Sequence, residues 1–133
     1  MKVNVIRPED RPTYIGQGRL TKVLLEPSDG VDSFSCVRVL FPPGERSEPH
    51  AKPATTEVVI TQRGTLTLIS GGGQYSLPAG AVVIIEPGTE HVHANLTGDP
   101  VEILVLLTPP GPEQVFKGRQ PLGKVRHDSA EIT

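Results

Sequence analysis

Apolar residues fall in short, largely β-branched runs: VNVI at 3–6, LTKVLL at 20–25, FSCVRVLF at 34–41, EVVITQ at 57–62, TLTLIS at 65–70, YSL at 75–77, AVVIIE at 81–86, HVHAN at 91–95 and EILVLLT at 102–108. Nearly every run is closed by proline or glycine within a few residues, and no window sustains the i, i+3, i+4, i+7 pattern of an amphipathic helix over three turns. Each run is therefore expected to be a strand. The stretches between them, FPPGERSEP, QRGT, SGGGQ, LPAG, EPGTEH and LTGDP, are hairpin and loop punctuation. An all-β sandwich or small barrel follows, with runs 81–86 and 102–108 as its inner walls. SGGGQ is a turn rather than a phosphate loop, because no GK[ST] and no helical segment follow it. From Pro109 onward apolar residues thin out. The chain divides into one domain over residues 1–111, beginning with the VNVI strand, and a partly disordered tail over 112–133, with what order it has expected around Val115 and Phe116.

Length supports that reading, since 133 residues suffice for one domain and not comfortably for two. Fourteen glycines and fourteen prolines suit short strands joined by tight turns. Thirteen basic against fifteen acidic residues, without a basic run, leave no electrostatic footprint for nucleic acid. The first thirty residues hold no signal-type apolar core and no stretch approaches a membrane span, so a soluble cytoplasmic protein is expected. The single cysteine, Cys36 in FSCVRVLF, suits a reducing compartment and reads as a structural thiol.

Polar residues with ligand chemistry cluster in two places. In HVHAN, strand parity puts His91, His93 and Asn95 on one face, alternating with Val92 and Ala94. In EPHAKPATTE the same parity puts His50 and Lys52 together, with Glu57 opening the next run. Histidine and glutamate are sound ligands for a divalent cation, whereas a protonated lysine repels one.

The spacing of these residues resembles that of the cupin superfamily. Gly44, five residues, His50, Ala51, Lys52, four residues, Glu57, six residues and Gly64 fit the first cupin motif, with Lys52 where a second histidine is usual. Gly80, five residues, Glu86, Pro87, Gly88, two residues, His91, three residues and Asn95 fit the second, with Glu86 in place of a proline. The resemblance implies a double-stranded β-helix, the jelly-roll barrel of cupins. It also implies a metal, Fe, Mn, Ni or Zn, held inside by His50, Glu57 and His91. Lys52 then turns to water, is neutralised by Glu86 or a substrate carboxylate, or loses its proton on desolvation and acts as a base, nucleophile or ligand. His93, on the same wall as His91, either supplies the missing imidazole or lines the pocket.

The function expected on this basis is a small metal-dependent enzyme, an oxygenase or a lyase, isomerase or cyclase. It acts on a small polar or anionic organic molecule inside the barrel, with Lys52, Glu86 and His93 as catalytic side chains. A metal-free enzyme using Lys52 and a carboxylate, and a non-catalytic small-molecule-binding barrel, stay open beside it. A homodimer is expected by the same likeness, and neither nucleic acid nor membrane is expected as a partner.

Overall fold

The computed structural model describes residues 2–123. Its strands, in chain order, are β1 (Thr13–Gly16), β2 (Arg19–Leu25), β3 (Ser35–Phe41), β4 (Thr56–Arg63), β5 (Thr65–Ser70), β6 (Gly73–Pro78), β7 (Val82–Ile85), β8 (Val92–Ala94), β9 (Val101–Thr108) and β10 (Gln120–Gly123). All pairings are antiparallel: seven strands follow the order β10-β1-β2-β3-β9-β4-β7, and three follow β6-β5-β8.

The period-two pattern decides which side chains turn inward. On β9, Val101, Ile103, Val105 and Leu107 are buried, while the residues between them are less so. On β4, Glu57, Val59 and Thr61 share the inward parity, and Glu57 pairs with Leu107 across the ladder. The sheets close over a core of Val23, Val37, Val59, Leu66, Leu68 and Ile85 together with the inward residues of β9. Leu66 is fully buried, so Leu66→Ala is expected to lower unfolding free energy by about 2–5 kcal/mol, measured by denaturant titration.

Three sequence expectations change. VNVI forms no strand: Val3 and Val5 are 78% and 67% exposed, and the outer edge of β1 is occupied by β10 instead. TYIG at 13–16 and QPLG at 120–123, too short and too polar to stand out, pair with each other at that edge. The described part of the supposed tail, residues 112–123, is a 3-10 segment, Pro112–Gly118, followed by β10. Polar anchors hold it in place. The buried Glu113 carboxylate accepts from the Gly111 N–H at 2.7 Å, Lys117 Nζ meets Glu26 Oε1 at 2.6 Å, and Thr55 donates to the Pro109 carbonyl at 3.1 Å. The remainder of the expected tail, 124–133, lies outside the described residues.

The N-terminal stretch is tied down in a similar way. Buried Lys22 donates to the Pro8 carbonyl at 2.7 Å, and Arg11 pairs with Asp29 at 2.8 Å. Partial burial pushes the Asp29 carboxyl up, but Arg11 and the Glu26 N–H outweigh it and hold it below its ordinary 3.8. A depressed folded-state pKa gives stability that is present above the unfolded value and lost as pH falls through the folded one. Asp29→Asn is accordingly expected to lower the melting temperature at pH 7 and to narrow its gap from the parent below about pH 4, read by thermal scans at both pH values.

Candidate metal centre

The loop after β3 runs back along β8 and carries His50 to its place. Gly44 N–H donates to Asn95 O at 3.0 Å, Asn95 N–H to Glu45 O at 2.8 Å and Ser47 N–H to His93 O at 2.8 Å. His50 and His91 exchange backbone hydrogen bonds of 3.1 and 2.9 Å, so their side chains emerge side by side, with ring centroids 4.2 Å apart. Asn95, expected on the same wall, is spent on structure. Its amide donates to the carbonyls of Phe41 and Asp99, and its oxygen accepts from Thr97.

His50, Glu57, His91 and His93 converge, each offering one ligand atom, and these atoms all lie within 4.8 Å of one another. His93 thus joins the cluster as its third imidazole, with its ring 4.8 Å from that of His91 and 5.7 Å from that of His50. The outer partners set the tautomers. Nδ1 of His50 lies 2.9 Å from the Glu48 carbonyl, and Nδ1 of His91 lies 2.9 Å from the Thr89 carbonyl. A carbonyl only accepts, so each Nδ1 carries a proton, and in the neutral ring each Nε2 presents a lone pair.

That assignment tests the fit of a cation. His91 Nε2 faces Glu57 Oε2 at 2.8 Å, two lone-pair atoms at a distance that requires positive charge between or upon them. Neither atom has a hydrogen-bond partner among the described residues, and the same holds for both ring nitrogens of His93. Three imidazoles and one carboxylate, all but His50 buried and each of the buried three with a polar atom left unsatisfied, match the needs of a divalent transition metal. Electrostatics prepares the same set. Burial drives His50 down to about 4 and also lowers His93, so these rings are neutral and free to ligate at physiological pH. Burial pushes the Glu57 carboxyl up, yet His91, His93 and Lys52 outweigh it and leave it well below the usual carboxylate range.

Of the side chains expected to act catalytically, Lys52 is in place and Glu86 is not. Lys52 Nζ stands 3.5 Å from Glu57 Oε1, which His93 Nε2 also approaches at 3.6 Å, while Oε2 faces His91. Glu86 is exposed on the turn after β7, because strand parity sends Ile85 inward and the next residue outward. It does not line the cavity described below. Cys36 is half-buried and free, and burial raises its thiol to about 11, which removes it as a nucleophile.

The cluster opens into a cavity of about 330 Å³. Val39, Phe41, Ile103 and Val105 wall it from the strands, and Val115 and Phe116 from the 3-10 segment. Arg19 and Arg119 also line it, and no pattern in the sequence singles them out.

The family described as "Cupin domain" matches residues 37–107, which span β3 to β9. The chain is a cupin. Its barrel is the double-stranded β-helix of that family, and Gly64, at φ +76°, stands where a side chain does not fit: a Cβ there would lie 2.6 Å from the Pro100 carbonyl. Among solved structures, this cupin is similar to the polyketide cyclase RemF from Streptomyces resistomycificus (18% identity, TM-score 0.74, 84% of this chain and 82% of that one). It is also similar to a predicted oxalate decarboxylase from Thermotoga maritima (19% identity, TM-score 0.73, 80% of this chain and 100% of that one). Both likenesses concern the fold. Among curated sequences it is 41% identical over 64 residues to Endoribonuclease YbeY from Myxococcus xanthus; the match covers 48% of this cupin and only 21% of that protein's length. No helix among the described residues is long and apolar enough to cross a membrane.

Proposed function

We propose that this cupin is a metal-dependent enzyme acting on a small organic molecule held in the barrel cavity, as a lyase, isomerase, cyclase or oxygenase. The observation carrying this reading is the placement of three imidazoles and a carboxylate within 4.8 Å of one another, with His50, His93 and Glu57 lining a largely apolar cavity. His50, Glu57, His91 and His93 would hold the ion, which when bound acts as a Lewis acid or an activator of oxygen. The carbonyls of Glu48 and Thr89 hold two of the rings with Nε2 inward. Val39, Phe41, Ile103 and Val105 exclude water from the ligand. Lys52 Nζ, beside Glu57 and lining the cavity, is the group positioned to hand a proton to a bound ligand or to take one from it. The fold is shared with a polyketide cyclase and with a predicted oxalate decarboxylase, which keeps the cyclase and lyase readings in view.

Metal content tests this. Protein purified without chelator or polyhistidine tag is expected to carry near-stoichiometric transition metal by plasma mass spectrometry, and His91→Ala to lose it. A metal-free preparation of the parent, unable to take up added Mn, Fe, Ni or Zn, refutes it. The 3.5 Å contact of Lys52 with Glu57 favours a second reading, a metal-free lysine enzyme. Borohydride trapping of a carbonyl compound on Lys52 in metal-free protein would support that one. A homodimer is proposed as well, to be checked by light scattering.

A further inference from the structure

Two guanidinium groups line the cavity, with Glu48 as a neighbour in the lining but not as an ion-pair partner of either. Arg19, at the start of β2, is 5% exposed, and its side chain donates to the Gln17 side-chain oxygen. Arg119, just before β10, is half-buried. Each leaves its Nη1 buried with no hydrogen-bond partner, and neither forms an ion pair among the described residues. A buried guanidinium nitrogen left unpaired carries a full desolvation penalty, and two like charges in one pocket compound it. Burial and the charge of Arg119 together pull Arg19 down to about 10, against the opposing pull of Glu45 and Glu48. An arrangement of this kind is relieved by an anion.

Aromatic rings hold both groups in place. The Arg19 guanidinium lies 5.6 Å from the Phe41 ring centroid and that of Arg119 lies 4.7 Å from Phe116. Phe41 in turn lies 6.4 Å from the His93 ring, so one aromatic side chain separates the arginine from the imidazole cluster. Gly16 makes room for the second arginine, since a Cβ there would come within 2.5 Å of Arg119 Cδ.

We propose that Arg19 and Arg119 form an anion subsite of the cavity and bind the carboxylate of a small organic acid, whose remaining body lies along the apolar wall toward the imidazole cluster. This names the substrate class of the metal-dependent reading above and rests on it for what happens next to the ligand. Guanidinium fits a carboxylate through paired, charge-assisted hydrogen bonds, and the apolar walls suit a hydrocarbon or aromatic body.

The test uses metal-free full-length protein, so that its outcome is independent of whether a metal binds. Benzoate and benzamide serve as probes, titrated by calorimetry. Saturable benzoate binding is expected, with benzamide at least about tenfold weaker, because the amide removes the charge and keeps the shape. Arg19→Gln and Arg119→Gln are each expected to weaken benzoate by about tenfold or more, and Arg119→Lys by less than Arg119→Gln. If Arg19→Gln does not fold, the two variants at the less buried Arg119 decide. Absence of saturable benzoate binding by the parent, benzamide binding as tight as benzoate, or indifference to Arg119→Gln each overturns the proposal.

Discussion

Glu57→Gln is expected to weaken divalent metal binding by at least about a hundredfold. Residues that merely orient a metal's ligands are worth roughly 10–100-fold, and Glu57 would be a direct ligand supplying the cluster's one negative charge. The substitution keeps the shape, removes the negative charge and puts an NH₂ in place of one of two oxygens, of which Oε2 now faces His91 and Oε1 faces His93 and Lys52. Calorimetric titration of the chelator-stripped protein with Mn(II) and Zn(II), with circular dichroism to verify folding, reads the effect. Unchanged affinity in a folded variant would place the ion, if any, away from this cluster.

Lys52→Met is expected to act in the opposite sense and tighten the same metal. Its ammonium, 3.5 Å from Glu57 Oε1, competes with a cation for that carboxylate and repels a divalent ion bound beside it. At about 5 Å and an effective dielectric near 20, the repulsion is roughly 3 kcal/mol per unit of charge. The Lys52 side chain is 18% exposed and long enough to swing toward water, which reduces the realised gain to about 1–3 kcal/mol, or roughly fivefold to 150-fold in affinity. Methionine preserves the apolar stem. The same titration, run at two ionic strengths, measures the change. If Lys52 also moves protons during turnover, Lys52→Met binds metal better and turns over worse, a split that simple electrostatic interference would not produce.

The strands with the clearest alternation, such as β4 and β9, were legible because each buries one face against the core, and burial is what the period-two pattern encodes. VNVI misled because apolar alternation identifies a strand only where a partner edge is free, and β10 holds the one beside β1. Residues 112–118 were illegible for a different reason. Contacts such as Lys117 with Glu26 and Thr55 with Pro109 join positions far apart in the chain and leave no local periodicity. The imidazole cluster was largely readable, since motif spacing pointed to His50, Glu57 and His91 and parity put His93 on their wall. Whether that fourth side chain reached the same point depended on the register between the 44–50 loop and β8, set by backbone hydrogen bonds that no side-chain pattern records. The exposure of Glu86 was illegible because a motif position says nothing about which way a turn residue faces.

The candidate metal ligands and part of the cavity lining reside in separable parts of this chain. The imidazoles stand on the barrel and its returning loop, whereas Pro112, Val115, Phe116 and Arg119 roof the cavity from a segment held chiefly by side-chain anchors. That segment can diverge with little disturbance to the strands beneath, so related barrels could acquire new diets by editing a dozen residues near their C-terminal ends. Grafting 109–119 from another cupin onto this one, with Glu26 and Thr55 kept as moorings, is expected to change which acids it accepts while leaving its appetite for metal intact.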